Sequence, residues 1–525
     1  MIKIRNIQEH ELTPLVAELL EIINLQKEEI QRLKDEIARL KGQKPKPEIK
    51  PSQMENARSD KKSMKEKKGK RAGSAKRKKT EELEIHETRI IKPNMLPNGC
   101  RFKGYKEFTV QDLIIMPRNT RYLLERWETP QGEYVTGKLP DNVKDHFGLC
   151  MHRFVLYQYY HAGVTQPLIL EQLIEIGLDI SSGKINQIVT EGKELFEKEK
   201  EDVLRAGLEV SGYINVDDTG ARHKGRNGYC THIGNELFAW FESTDSKSRI
   251  NFLKLLRAGG GGYVINDDAM NYMESQNLPK EFQEKFKSQP GICFENDDAW
   301  KHNLAILNIR SDRHARIATE GALIGSVLEN GFNKELAILS DDAGQFNVFL
   351  HALCWIHAER LLAKLIGFNG DKRKALEKKR GEVWEFYDQL KKYKKAPDQG
   401  KKKKLEARFD EIFTEKTCFQ TLNLTLQRIY NNKSELLLVL DRPDIPLHNN
   451  LSERDIREYV KRRKISGSTR SDAGRRVRDT FISLKKTCRK LGISFWVYLQ
   501  DRLAGSFVIP RLSDLIRLKA QELRL

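Results

Sequence analysis

An α/β core interrupted by a long helical insertion, and preceded by a helical region, a small β-rich module and a coiled coil, is the architecture this 525-residue sequence predicts. Three observations carry the prediction. Between residues 211 and 368, short apolar runs that end in aspartate alternate with helical stretches, which is the pattern of strands and helices sharing one core. Residues 370–440 are highly charged and helical in pattern, "KKKKLEARFDEIF" being a sample. Near the N-terminus, apolar residues return every seven positions, the signature of a coiled coil.

The segments follow in order. Val16, Ile23, Ile30 and Ile37 share one heptad position, and Leu19, Gln26, Leu33 and Leu40 share another. β-Branched residues at the first and mostly Leu at the second favour a parallel two-stranded coiled coil. Glu29 with Lys34 and Glu36 with Lys41 fall at the flanking positions. Gly42 and Pro45 stop the helix. Residues 1–42 are therefore read as a dimerisation helix, spanning 14–41, that makes a homodimer or higher oligomer. Residues 43–80 form a linker, whose stretch 61–79 holds eleven Lys/Arg and one Glu. Such a run cannot bury a core and is expected to be disordered when free. It can gain affinity for DNA by displacing counterions, without specifying a sequence.

Residues 81–147 read as a small β-rich module broken by Pro-Gln-Gly. Residues 148–205 read as helical, with a turn at Gly177 between two helices, the spacing of a helix-turn-helix. The first part of the core covers 206–368, the helical insertion 369–440, and the last part 441–525 with its basic helices.

Composition narrows the function. The net charge of +19 points to a polyanionic partner, with nucleic acid in first place. Seven scattered cysteines with no C-x-x-C argue for a reducing compartment and no disulfide framework. No apolar run reaches membrane-spanning length, and the N-terminal residues lack the apolar stretch of a secretory signal.

The chemistry rests on acids. Asp-Asp pairs stand at 217–218, 267–268, 297–298 and 341–342. Phosphoryl transfer asks for two divalent ions that activate one oxygen and stabilise another, and Mg²⁺ prefers carboxylate oxygens. Asp217 and Asp341, each ending an apolar strand, and Glu453, on a helix flanked by bases, are a suitable trio. From 454 to 490 there are 14 Lys/Arg against 4 Asp/Glu. Asp267-Asp268 rivals Asp341, since it too follows a strand after a helix. Asp297-Asp298 reads as a turn or helix cap. His351, Cys354 and His357 would spread around a helix, so they read as core packing.

The segments "VDDTGARH", "ILSDDAGQF", "ALCWIHAERLLAKLIGF", "IPLHNNLSERDIREYVKRRKISGSTRSDAGRRVRDTF" and "LKKTCRKLGISFWVYL" resemble the insertion-sequence 66 family of bacterial transposases. The resemblance covers roughly 85–505 and is strongest from 338 onward. It implies a ribonuclease-H-like core with an Asp-Asp-Glu triad. Position by position, it implies Asp217 as first acid with Asp218 its neighbour, and Asp341 rather than Asp342 as second. It implies Glu453 as third, in a motif matched by Asn449, Asn450 and Arg454. His448 stands where many members carry Asp. Only Cys100 stands where many carry a Cys-x-x-Cys zinc module, so no zinc is expected.

The resemblance further implies two Mg²⁺ (or Mn²⁺) ions held by the three acids, and cleavage and strand transfer of an insertion sequence. It implies double-stranded DNA, both element ends and target, as substrate, with accessory proteins of the element as further partners. The setting is cytoplasmic and nucleoid-associated. Asn449, Asn450, Arg454, Arg457, Lys461, Arg462, Arg463 and Lys464 are the expected DNA contacts. On a helix, Glu453, Arg457, Lys461 and Lys464 share one face. The alternatives are a DNA-binding regulator or transposase remnant without catalysis, and a metal-dependent nuclease that cuts without joining.

Overall fold

A five-stranded sheet organises the core, in the order β5-β4-β3-β8-β9. Its strands are β3 (Tyr213–His223), β4 (Arg226–Gly234), β5 (Ala239–Thr244), β8 (Ala337–Ser340) and β9 (Leu350–Leu353). The first three form an antiparallel meander, as the sequence of two tight connections demands. β8 and β9 then add in parallel. Ile214, Val216, Ile338 and Leu339 have no exposure at all, as expected of strands covered on both faces.

The computed structural model describes residues 14–40, 84–95, 99–140, 143, 145–288 and 292–524. The basic stretch at 61–79 lies outside the described residues. Described residues within 1–50, 122–173 and 179–525 form one compact unit, and those within 51–121 and 174–178 another. In the second unit no residue is in a helix or strand except the end of one helix, and 99–116 is exposed chain throughout. The β-rich module expected over 81–147 amounts, among the described residues, to one short ribbon of β1 (Arg126–Glu128) and β2 (Tyr134–Thr136).

The helices of the larger unit begin with α1 (Pro14–Leu40), followed after the ribbon by α2 (Leu149–Leu156) and a π-helical turn, Tyr157–Ala162. Next come α3 (Gln166–Glu175), α4 (Ser182–Thr190) and α5 (Glu194–Val210). The expected helix pair is α3 and α4, with Ser181 capping α4 through the Lys184 amide. Between β5 and β8 lie α6 (Arg249–Leu256), α7 (Asp267–Ser275), α8 (Lys280–Lys287), α9 (Asp297–Ile306) and α10 (Asp312–Glu329). A separate two-stranded ribbon, β6 (Tyr263–Val264) with β7 (Cys293–Phe294), sits among them.

After β9 come α11 (Trp355–Ala363) and the insertion: α12 (Gly370–Lys395), α13 (Gln399–Thr414), α14 (Gln420–Tyr430) and α15 (Lys433–Leu436). The chain then returns with α16 (Asn450–Ser466), α17 (Asp472–Leu491), α18 (Phe495–Ala504) and α19 (Leu512–Arg524). α16 and α17 cover the meander. Ile456, Tyr459 and Ile482 pack there with Ala221, Cys230, Ala239 and Phe241.

Three details differ from the sequence reading. Asp217 stands in the middle of β3, which runs on to His223 along its hairpin with β4, rather than at the end of a strand. Residues 350–353 form an edge strand rather than the start of a helix, so His351 stands on β9 and only His357 of the His/Cys group is helical. The apolar run at 263–264 joins the outlying ribbon, because its partner is β7 and not a strand of the main sheet.

Candidate active site

The strand register brings the first two acids to one edge of the fold. Asn215 of β3 pairs with Leu339 of β8. Two residues further along each chain stand Asp217 and Asp341. Alternation along a strand puts Asp217 on the same face as Asn215, and that face meets α16. The Asn215 Nδ2 donates to Asn449 Oδ1 at 2.8 Å. His232, the cross-strand partner of Asp217, has its Nδ1 2.6 Å from Ser452 Oγ. Ser452 precedes Glu453 in the first turn of α16, so this end of α16 is tied to β3 and β4.

The turn after β8 sets apart the two members of the pair it carries. Asp342 takes φ +71°, a left-handed conformation that Asp tolerates better than most residues. Its Oδ2 accepts from Asn432 Nδ2 at 3.2 Å. Asp218, on the opposite face from Asp217, accepts from Thr231 Oγ1 at 2.5 Å and from Gln345 Nε2 at 2.6 Å. The other member of each pair is bonded locally: Asp217 Oδ1 accepts from the Asp218 amide at 2.7 Å, and Asp341 Oδ1 from the Ala343 amide at 3.3 Å. The buried Arg249 donates to the Gly344 carbonyl at 2.9 Å and steadies the same loop.

Glu453 meets α11. Arg360 Nη1 lies 3.1 Å from Glu453 Oε1, and His357 Nε2 lies 3.6 Å from the same oxygen. On the other side Arg457 Nη2 is 3.7 Å from Oε2. His357 also lines a small pocket with Asp341, Asp342 and Cys354, so it stands between that pocket and Glu453. Among the described residues, no three His, Cys, Asp or Glu side chains are gathered into a ready metal cage.

Asn449 was expected at DNA, and it is wholly buried. Besides its bond to Asn215, its Nδ2 donates to the Val216 carbonyl at 2.8 Å, and its amide donates to Cys354 Sγ at 3.2 Å. It pins the start of α16 to β3, one residue before Asp217. Burial pushes the Cys354 thiol up to about 12, and its sulfur serves here as a packed acceptor for the Asn449 amide. Asn450, half-buried, opens α16.

The basic residues divide by surroundings. Arg454, Arg457, Lys461 and Lys464 are exposed along α16. Arg462 is buried, with its guanidinium 3.9 Å from the centre of the Tyr159 ring. Arg463 donates to the Gly220 carbonyl at the far end of β3. Below them, Asp455 is held well under the usual carboxylate range. Burial pulls it upward, and the contacts from His232 and from Lys490, at 2.7 Å, outweigh that pull. Burial lowers the His232 pKa, so the imidazole is neutral near pH 7. Lys490 and Lys486 then supply the charge facing Asp455.

The remaining acid pairs have another use. Asn266 caps α7 through the Ala269 amide, and Asn296 caps α9 through the Asp298 and Ala299 amides. Asp267-Asp268 and Asp297-Asp298 therefore fill the first turns of two helices, where negative charge suits the helix dipole. Asp268 also pairs with Lys334 at 2.7 Å. The shared string Asn-Asp-Asp-Ala was the signal for this.

Residues 293–477 match the family described as the IS66 family of transposases. The uncharacterized protein y4jO of Sinorhizobium fredii (strain NBRC 101917 / NGR234) is 44% identical over 322 residues, which are 61% of this chain and 100% of that protein. The chain belongs to the IS66 family of transposases. A transposase-type role and DNA as partner follow for this IS66 member. Asp341 and Glu453 fall inside the matched stretch, and Asp217 lies ahead of it. No helix among the described residues is long and apolar enough to cross a membrane.

Proposed function

We propose that this IS66-family chain cleaves DNA at the ends of an insertion sequence and joins them to a target, with Asp217, Asp341 and Glu453 as its acids. The observation that carries the reading is the convergence of three segments. The first acid stands on the central strand, the second at the tip of the parallel strand beside it, and the third on the helix laid across them. This arrangement supports the ribonuclease-H-like reading of the α/β core.

The donor set suits hard divalent ions, being all carboxylate oxygen. Asp217, Asp341 and Glu453 would hold two Mg²⁺ or Mn²⁺ ions, which supply an activated oxygen nucleophile and charge neutralisation at the phosphate. The protein's own residues do the rest. Arg454, Arg457, Lys461 and Lys464 bind backbone phosphates next to Glu453 without reading bases. Asn449, His232 and Ser452 set the height and rotation of α16. Asp218 ties β3 to β4 and to the loop after β8, and Asp342 holds the turn after β8. A second copy of the chain, joined across the stripe on α1, would bring two element ends together.

The deciding assay is metal-dependent cleavage and joining of element-end DNA. Wild type should cut and join, Asp217→Asn, Asp341→Asn and Glu453→Gln should each lose both activities, and Asp267→Asn should keep them. Loss with Asp267→Asn and not with Asp341→Asn would move the second acid. Cutting without joining would make the chain a nuclease. DNA binding with no chemistry in the wild type would make it a regulator.

A further inference from the structure

We propose that Arg360 is a fixed internal counter-cation for Glu453, which balances the acid's charge and competes with a divalent ion for it. The inference rests on the reading of Glu453 as a metal ligand, and it concerns how that ligand is held beforehand.

Arg360 is almost entirely buried, at 7% exposure. A buried guanidinium is costly unless it is paired. Its Nη1 lies 3.1 Å from Glu453 Oε1 and 2.9 Å from His357 Nε2. His357 Nε2 lies 3.6 Å from the same glutamate oxygen, so Oε1 faces the guanidinium and the imidazole together. Arg457 attends the other oxygen from solvent.

The placement of Arg360 is rigid. The Trp355 amide donates to the Leu447 carbonyl at 2.9 Å, and Trp355 Nε1 donates to the Leu436 carbonyl at 2.9 Å. Glu359 Oε1 accepts from Arg380 Nε at 2.8 Å. α11 is thereby fixed to the segment leading into α16 and to α12. Arg360 cannot drift away as a surface arginine would.

A half-buried carboxylate is destabilised by lost hydration unless a cation stands near it. The guanidinium at 3.1 Å offsets that cost for Glu453. The same charge then opposes an incoming divalent ion, since like charges at this separation interact strongly in a partly buried site. Arg360 thus lowers the affinity of the acid cluster for the ion and keeps the Glu453 carboxylate aimed while it waits.

The test is Mn²⁺ binding to the full chain without DNA, by calorimetry or by the electron-spin signal of the free ion. Circular dichroism and melting serve as controls for folding. Arg360→Gln should tighten Mn²⁺ binding at least threefold, and Arg360→Lys, which keeps the charge, should stay within twofold of wild type. Glu453→Gln should weaken it. Unchanged or weaker binding in Arg360→Gln, or equal tightening in both arginine variants, overturns the proposal. If Glu453→Gln binds as wild type does, Glu453 is not a ligand, and the reading beneath the proposal falls with it.

Discussion

A single asparagine does at Asn449 what a longer loop could not. Its side chain and amide reach β3 and the start of α11 at once. Replacement by alanine leaves the Val216 carbonyl and the Asn215 amide without these partners in a site closed to water. At ~1–3 kcal/mol for each of the two buried groups left unpaired, Asn449→Ala should cost about 2–6 kcal/mol of stability. Chemical denaturation checks this, and a loss below 0.5 kcal/mol, within the range of neutral surface changes, would mean that the pin is redundant. The motif Asn-Asn-x-x-Glu-Arg was legible in the sequence, and so was Glu453. The role of Asn449 was not, because a polar residue in an acid-bearing motif reads as exposed until its partners are known. Asp342 is the opposite case: small residues after an acid pair already spoke for a turn.

At the scale of elements, the connection from α16 to α17 folds back onto the end of β3. Asp472, the first residue of α17, meets Lys224 at 2.7 Å and His223 at 2.8 Å. His223 Nδ1 also reaches Thr469 Oγ1 at 2.8 Å. The bond from Lys224, and then the one from His223, hold the Asp472 carboxyl down at about 2, against an ordinary 3.8. A carboxylate with a depressed folded pKa stabilises the fold above its unfolded pKa and loses that contribution as pH falls toward the folded value. Asp472→Asn should therefore melt below wild type at pH 6, and the gap should close between pH 4 and about 2. A gap that is the same at both ends would assign the effect to something other than this charge. Element identity was readable where periodicity was long, as in the insertion and the helix at 312–329. It failed at 350–353, where four residues cannot distinguish two periods.

For the whole molecule, α1 presents a choice of partner. Leu20 is buried, and Glu28 pairs with Arg428 of α14 at 3.5 Å. The heptad stripe faces away: Leu19, Ile23, Ile30, Leu33, Ile37 and Leu40 are all exposed. An uncovered row of this kind is what a second helix of the same sequence would bury. Ile30→Glu with Ile37→Glu should convert a dimer or larger assembly of the full chain to monomer in light scattering. An unchanged mass in the variant would refute pairing through α1. The heptads were plain from residue spacing. The docking of α1 on α14 was not, since it relies on one leucine off the stripe and an ion pair between residues 400 apart in sequence. Finally, Trp355 ties the two margins of the segment that leads into Glu453, at Leu436 and Leu447, while the turn from Lys395 to Gly400 lies in solvent. The residues on either side of that turn are tied as well: Tyr393 donates to the Leu440 carbonyl at 2.8 Å, Lys394 to the Ile445 carbonyl, and Lys402 meets Asp441. Both ends of the insertion thus bear on the segment that enters the Glu453 helix, and a change of length at the turn would be felt there, whereas a tag at the exposed turn residues themselves need not disturb those bonds.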